Sequence, residues 1–358
     1  MGSKHPQAEK VKTDAFVHKP VNHTTLNRLT GIGQTKVAGV TFRLFEGPED
    51  YGPMESVLGR SIAADHVEWS FTTEDFANMD RNSTNQDPHR DRLIAEVDGK
   101  LVGFVGVSWT QVSGGPRLYS FQAHVVPDWR GTRLREALLS WAETRARDIS
   151  IAHPPEVSKF CESWANDEEN DWKSLLIDHG YHPARHVYEM VRPDLDNVPR
   201  LPLPEGVELA PVGKRDYRRI WKLEEEGMRD HPDYSASHFD EAHYREWQDS
   251  EVFDPTLFVV AWAGDTPIGI VQPYIKDDEN RRYGRKRGHT EHICVLREWR
   301  RKGIASALIA RSLEQLKARG MTSATLDVDA ENPSGALRVY KMLGFRREKS
   351  FTFYRKPL

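Results

Sequence analysis

Long apolar runs are missing from this chain. No stretch approaches the roughly 18 residues that a membrane-spanning helix needs, so no membrane partner is expected. Cysteine is scarce: Cys161 and Cys294 are the two in 358 residues. That is too few for a disulfide framework, and the C-x-x-C spacing of a zinc site is absent. They read as two reduced thiols of a cytoplasmic protein. No metal is expected either. His182 and His186 stand four apart, but Pro183 intervenes and no carboxylate or thiol lies at ligand spacing. Net positive charge is also lacking, because 50 Lys and Arg face 54 Asp and Glu. A net charge of −4 makes no polycation for phosphate backbones, so no nucleic-acid partner is expected. The opening MGSKHPQAEK has neither an apolar core nor a small-residue cleavage site, so no secretory leader is expected.

What is present is a globular mixture, 38% hydrophobic and 29% charged, with ten Trp and fourteen Phe. At about 150 residues per domain the length suggests two domains. Residues 1–38 are polar and without period and read as a tail. Pro193, Pro199, Pro202 and Pro204 crowd a second break, and proline fits neither helix interiors nor central strands. Residues 193–205 therefore read as a linker between a domain at 39–192 and another at 206–358.

The two sides share a layout. Leu93–Val97, Asp98-Gly99 and Lys100–Val105 read as strand, tight turn, strand. Leu257–Trp262, Gly264-Asp265 and Pro267–Val271 repeat that order. Gly269 follows Gly103 by 166 residues, Arg300 follows Arg130 by 170, and Gly344 follows Gly180 by 164. Near-constant offsets in fixed order imply two copies of one α/β domain. On the right, apolar spacing predicts helices near 214–228 and 237–249, with Ser235 and Ser237 as caps. It also predicts a helix over 302–319, a strand over 324–328 and a helix over 334–343.

The stretch Cys294–Leu308 carries the strongest chemical signal. A strand runs into a basic loop, which becomes a helix N-terminus. Such an end offers free N–H groups and partial positive charge to phosphate oxygens. Gly303 lets backbone approach an anion, Ala305 keeps the first turn thin, and Arg300, Arg301 and Lys302 bring counter-charge. Downstream stands Asn332-x3-Ala336-x3-Tyr340-x3-Gly344-Phe345.

The pair Arg300-x-x-Gly303-x-Ala305 and Asn332 to Phe345 resembles the GNAT superfamily of acyl-CoA-dependent N-acetyltransferases. The sharp match covers about residues 250–350, and the tandem layout is similar to that of the mycothiol synthase-like group of bacterial acetyltransferases. The resemblance implies two tandem domains, each a mixed, mostly antiparallel sheet flanked by helices. It implies acetyl-CoA as cosubstrate, with its pyrophosphate on the amides of Arg301, Lys302, Gly303, Ile304, Ala305 and Ser306. The main chain of Ile293, Cys294 and Val295 would pair with the pantetheine arm, and Asn332 would touch the arm or the thioester. Tyr340 would give a proton to the leaving thiolate. A phenol, with an ordinary pKa of about 10, holds its proton at neutral pH.

A general base is harder to place. Glu291 lies four residues before Val295, so a regular strand puts both on one face, with His289 two residues earlier on that face. Family members often put a carboxylate on this strand; attack by an already neutral amine is the other course. Cys294 lacks a base at fixed spacing and is not taken as a nucleophile. The acceptor implied is the primary amine of a small molecule. Acylation of a thiol-precursor amine, acetylation of a protein or peptide, and a non-catalytic acyl-CoA sensor stand as alternatives. A monomer or a homodimer fits equally.

Two charged stretches are open. Residues 277–287 form a solvated hairpin connection, or meet the adenosine 3′-phosphate or an anionic acceptor. Residues 224–232 are a solvated helix end or a wall of the acceptor pocket. The left half departs from the pattern. Arg133 stands at the glycine position, Arg135 at the small position, Leu176 at the Tyr340 position and Glu168 at the Asn332 position. It is expected neither to catalyse nor to bind acetyl-CoA normally, but to cover the right half or wall its cleft.

Overall fold

The computed structural model describes residues 37–68, 70–231, 234–332 and 335–358. The proposed tail, apart from its last two residues, lies outside the described residues. The left half runs β1 (Thr41–Leu44), α1 (Tyr51–Ala64), α2 (Thr73–Asn82), α3 (Pro88–Asp91), β2 (Arg92–Val97) and β3 (Lys100–Gln111). It continues through β4 (Arg117–Val125), α4 (Leu134–Ser150), β5 (Lys159–Asn166), α5 (Asn170–Asp178) and β6 (His182–Arg192). The right half runs β7 (Val207–Leu209), α6 (Tyr217–Met228), α7 (Glu241–Asp249), β8 (Val259–Ala263), β9 (Thr266–Tyr274) and α8 (Asp277–Arg282). It closes with β10 (Arg287–Val295), α9 (Ile304–Ala318), β11 (Ser323–Asp329), α10 (Ala336–Met342) and β12 (Arg346–Pro357).

Local chemistry explains these elements. Asp98 and Gly99 both adopt positive φ, as a two-residue hairpin turn demands. Thr72 and Asp75 open α2 with a capping box: Thr72 Oγ1 accepts from the Asp75 amide at 3.1 Å, and Asp75 accepts from the Thr72 amide at 2.9 Å. Along α9, Leu308, Ile309, Ser312, Leu313 and Leu316 form the expected stripe, all fully buried. Asp240, not Ser235 or Ser237, caps α7, accepting from the His243 amide at 2.9 Å.

All twelve strands join one mixed sheet, in the order β1-β2-β3-β4-β5-β12-β6-β11-β10-β9-β8-β7. The order departs from two self-contained domains. The left half's last strand, β6, pairs with β11 of the right half, and the right half's last strand, β12, pairs with β5 of the left. β6 and β12 pair with each other over most of their length. The residues between β6 and β7 form no regular element, as the prolines predict. Their start is pinned by Arg192, whose guanidinium donates to the carbonyls of Asp194 (2.8 Å), Asn197 (3.0 Å) and Leu343. No described helix is long and apolar enough to cross a membrane.

Candidate active site

β10 and β11 run parallel but pair only from Arg287–Ser323 to His289–Thr325. Beyond that point they part, and the sheet opens into a cleft. A β-bulge sets what faces the cleft. On β9, Gln272 and Ile270 are two residues apart, yet their partners Glu291 and Cys294 are three apart. His292 takes φ 52° in the bulge. The extra residue corrects the regular-strand expectation: Glu291 and Val295 lie on opposite faces, and Glu291 shares its face with Cys294. Val295 packs into the core beneath α9, whereas Cys294 packs with Ile220 and Leu223 of α6. Burial and the nearby Glu224 push the Cys294 thiol well above its ordinary range, which fits a packing role.

The loop after β10 ends at the mouth of the split. Arg301 (φ 62°) and Gly303 (φ 82°) both take left-handed backbone. Among the described residues, the amides of Arg301, Lys302 and Gly303 meet no backbone acceptor. With the first turn of α9 they form an anion cradle. Arg300 does not supply the expected counter-charge. Its guanidinium donates to the carbonyls of Val295 (2.9 Å) and Gly227 (3.1 Å) and to Asp230 (2.5 Å). It braces the loop against the end of α6. Lys302 lies over the Trp299 ring at 4.6 Å, and Arg301 is exposed.

The cleft holds a cavity of about 670 Å³ whose lining includes Glu291, Ile293, Asn332 and Tyr340. Of the expected site residues the lining holds Glu291 and Ile293 of β10, Asn332, and Tyr340 of α10; the loop residues 300–306 are not part of it. It adds two carboxylates. Asp327 on β11 lies directly opposite Glu189 on β6, and both line the cavity with Glu291. Glu291 accepts from the Asp327 amide at 3.0 Å, where the strands have parted. Surrounding protein and the Asp327 charge push Glu291 well above the carboxylate range, and burial with the Glu189 charge lifts Asp327 to about 7. Burial also raises Glu189. The Tyr340 hydroxyl is driven up by burial and the Glu291 charge, so it holds its proton at neutral pH.

Glu224, half of the question left open for residues 224–232, is no solvated helix end. It is buried and accepts from His292 Nδ1 (2.5 Å) and Gln272 Nε2 (2.5 Å). Its charge raises His292 to about 9. His289 and His292, three apart on β10, line the same cavity because of the bulge. His289 stacks on Tyr274, with ring centroids 4.5 Å apart, and bonds Glu279 at 3.3 Å. It thus serves the wall, not the position beside Glu291. Among the described residues no three His, Cys, Asp or Glu side chains are grouped to hold a metal ion.

Residues 277–287 are not a solvated loop. Their first six residues form α8, and the segment docks on the left half. Ser70 donates to Asp278 (2.5 Å), Arg282 to the Gly59 carbonyl (2.8 Å) and Tyr283 to the Val67 carbonyl (3.2 Å). Arg285 joins Glu68 and Glu279. Glu68, Ser70 and Phe71 of the left half consequently wall the cavity.

The left half has a matching split whose β4 backbone edge is taken by a side chain. β4 and β5 pair from Arg117–Lys159 to Ser120–Glu162 and then part. Arg133 turns outward to Glu136 at 2.9 Å. Arg135 turns inward: it donates to the Ala123 carbonyl of β4 (3.2 Å) and to Glu169 (3.0 Å), and lies 4.4 Å from the Trp172 ring centre. It thus occupies the backbone edge that the right half leaves open beside Ala305. Leu176, fully buried, stands where the right half has Tyr340. Arg135→Ala would strand Glu169 in the interior, at an expected cost of about 3–5 kcal/mol. Urea unfolding checks this, and adding Glu169→Gln should recover part of the loss.

The sheet splits between two parallel strands with a helix N-terminus at the mouth of the split, and together with the family match this makes the chain an acyltransferase. The chain belongs to the acetyltransferase (GNAT) family, which it matches over residues 60–153 and 218–345, in both halves. Its relatives include mycothiol acetyltransferases. That of Salinispora arenicola is 26% identical over 277 residues, covering 76% of this chain and 84% of its own. That of Nocardiopsis dassonvillei is 28% identical over 285 residues, covering 74% and 81%. A GCN5-related N-acetyltransferase structure from Sphaerobacter thermophilus matches with a TM-score of 0.68 at 23% identity, covering 90% of this chain and 97% of its own. A tandem GNAT protein from the clavulanic acid biosynthesis pathway matches at 0.65 and 14% identity, covering 89% and 98%. At these identities the structural likenesses speak to the fold.

Proposed function

We propose that the right half transfers acetyl from acetyl-CoA to a primary amine of a small molecule, by direct attack on the thioester. The observation that carries this reading is an acidic cavity holding Glu291, Asp327 and Tyr340, lined also by Ile293 of the strand that runs on into the open amides of residues 301–303. The backbone of Ile293–Val295 lies on the strand edge that parts from β11, where it can pair with the pantetheine arm. The carboxylate pair Glu291 and Asp327 favours a cationic amine and takes its proton, directly or through water. The amine nitrogen bonds to the thioester carbon, the carbon–sulfur bond breaks, and Tyr340 gives its proton to the departing thiolate. The relatives' names favour a second reading, in which the acceptor is the amine of a mycothiol precursor.

Thiol release from acetyl-CoA against a panel of amines tests the reading, and no turnover of any amine, precursor amines included, counts against it. The pH profile gives a sharper check. Protons on both Glu291 and Asp327 remove the acceptor for the amine proton, so kcat/KM should fall as pH drops below about 7, where Asp327 titrates. Asp327→Asn removes the group whose titration sets that limb and a charge that raises Glu291, so the acid limb should shift from its wild-type position. An acid limb that stays in place contradicts the pairing.

A further inference from the structure

The left half keeps a cavity of its own, about 420 Å³, lined by Phe71, Phe76, Gln122, Trp164 and Phe353 among others. Sheet register identifies the place. On the right, two residues past the last parallel pair, His289–Thr325, stand Glu291 and Asp327, with Glu189 opposite Asp327. On the left, two residues past the last parallel pair, Ser120–Glu162, stand Gln122 and Trp164, with Phe353 opposite Trp164. The left cavity is therefore the counterpart of the right half's acceptor cavity. Three carboxylates on the right correspond to an amide and two aromatic rings on the left.

The chemistry of the lining follows. Its charged groups are already paired: Arg92 with the buried Asp80 (2.7 Å), and Glu162 with Arg355 (2.7 Å) and Ser120 (3.2 Å). Gln122 accepts from Ser163 through Oε1 at 2.8 Å. Among the described residues its Nε2 has no partner. The cavity thus offers aromatic rings, the Gln122 amide donor and the buried, neutral imidazole of His124, while one face of Phe353 is already covered by Arg185, 4.0 Å from the ring centre. It offers no unpaired charge, and Arg135 closes the acyl-carrier slot beside it.

We propose that this cavity is a binding site for an uncharged, planar aromatic molecule with one hydrogen-bond acceptor. The ligand packs on Trp164 and on the side of Phe353 that Arg185 leaves open, takes a hydrogen bond from Gln122 and undergoes no chemistry. A cationic amine suits the right cavity, and a neutral ring suits the left. Phe71 lines both cavities, so occupancy of one touches the wall of the other.

The test is calorimetric titration of the full chain with a neutral probe, quinoline, and with a charged one, protonated tryptamine. Quinoline should bind and tryptamine should bind this cavity at least about 10-fold more weakly, the discrimination worth 1.4 kcal/mol. Trp164→Ala should weaken quinoline by a similar factor and leave acetyl-CoA affinity unchanged. Gln122→Glu, which adds a charge and keeps the volume, should do the same and stands in if Trp164→Ala does not fold. Glu291→Gln should leave quinoline binding as it was. Absence of quinoline binding at millimolar concentration overturns the proposal. So does binding that survives Trp164→Ala or Gln122→Glu, or that is lost in Glu291→Gln. None of these results depends on acetyl transfer, so the proposal can fail while the catalytic reading stands.

Discussion

Tyr340→Phe should lower kcat by about 10²- to 10⁴-fold, the range for losing a general acid, with acetyl-CoA affinity little changed. The prediction rests on what the substitution keeps. Tyr340 is buried on α10, and its ring meets Phe345 edge-on with centroids 6.2 Å apart. Phenylalanine preserves that packing and removes the hydroxyl alone. Burial and the Glu291 charge hold the tyrosine protonated across the physiological range, so wild type always has a proton for the thiolate. The loss should therefore appear in kcat at every pH near neutrality. A loss below about 3-fold, far under that general-acid range, would make Tyr340 a packing residue only.

Ala305→Glu should cost acetyl-CoA binding far more than it costs the fold. Residue 305 lies in the first turn of α9, where a carboxylate meets the positive end of the helix dipole. The dipole gain of about 0.3–1 kcal/mol is offset because Ala305 packs, partly buried, against the core under α9, so stability should not rise. The same carboxylate enters the cradle formed by the amides of residues 301–306 and repels a pyrophosphate. Losing two charge-assisted hydrogen bonds at about 1.5–3 kcal/mol each weakens acetyl-CoA binding by about 10²- to 10⁴-fold. A thermal melt and a calorimetric titration on one sample read both effects. Unchanged affinity would place the cosubstrate elsewhere.

Much of this arrangement is legible in the amino-acid sequence. The hairpins announce themselves through Asp98-Gly99 and Gly264-Asp265, and the duplication through near-constant offsets. Gly303 and Ala305 mark the cradle because few residues suit a close anion approach. Other features leave no local signal. The bulge at His292 places a non-glycine residue at φ 52°, which composition does not flag, and it reverses the face of Glu291. The exchange of β6 and β12 is silent because either strand has the periodicity to pair with either neighbour. Asp327 had a readable hint, an acid within the apolar alternation of Leu326 and Val328. Its partner Glu189 comes from the other half, however, and only the exchanged strands bring the two together. Arg300 looked like a phosphate ligand by charge, but its neighbours Gly227 and Asp230 are distant in the chain. The charged stretch at 277–287 found its partners on the left half for the same reason.

The central claim is a division of labour: the right half takes acetyl-CoA and does the chemistry, and the left half walls the cleft with its own slot filled by Arg135. Titrating the full chain with acetyl-CoA in a calorimeter tests it most directly. One equivalent bound per chain, abolished by Ala305→Glu, is the predicted result. Two equivalents, or one that survives Ala305→Glu and is lost when the left loop is altered, would contradict it.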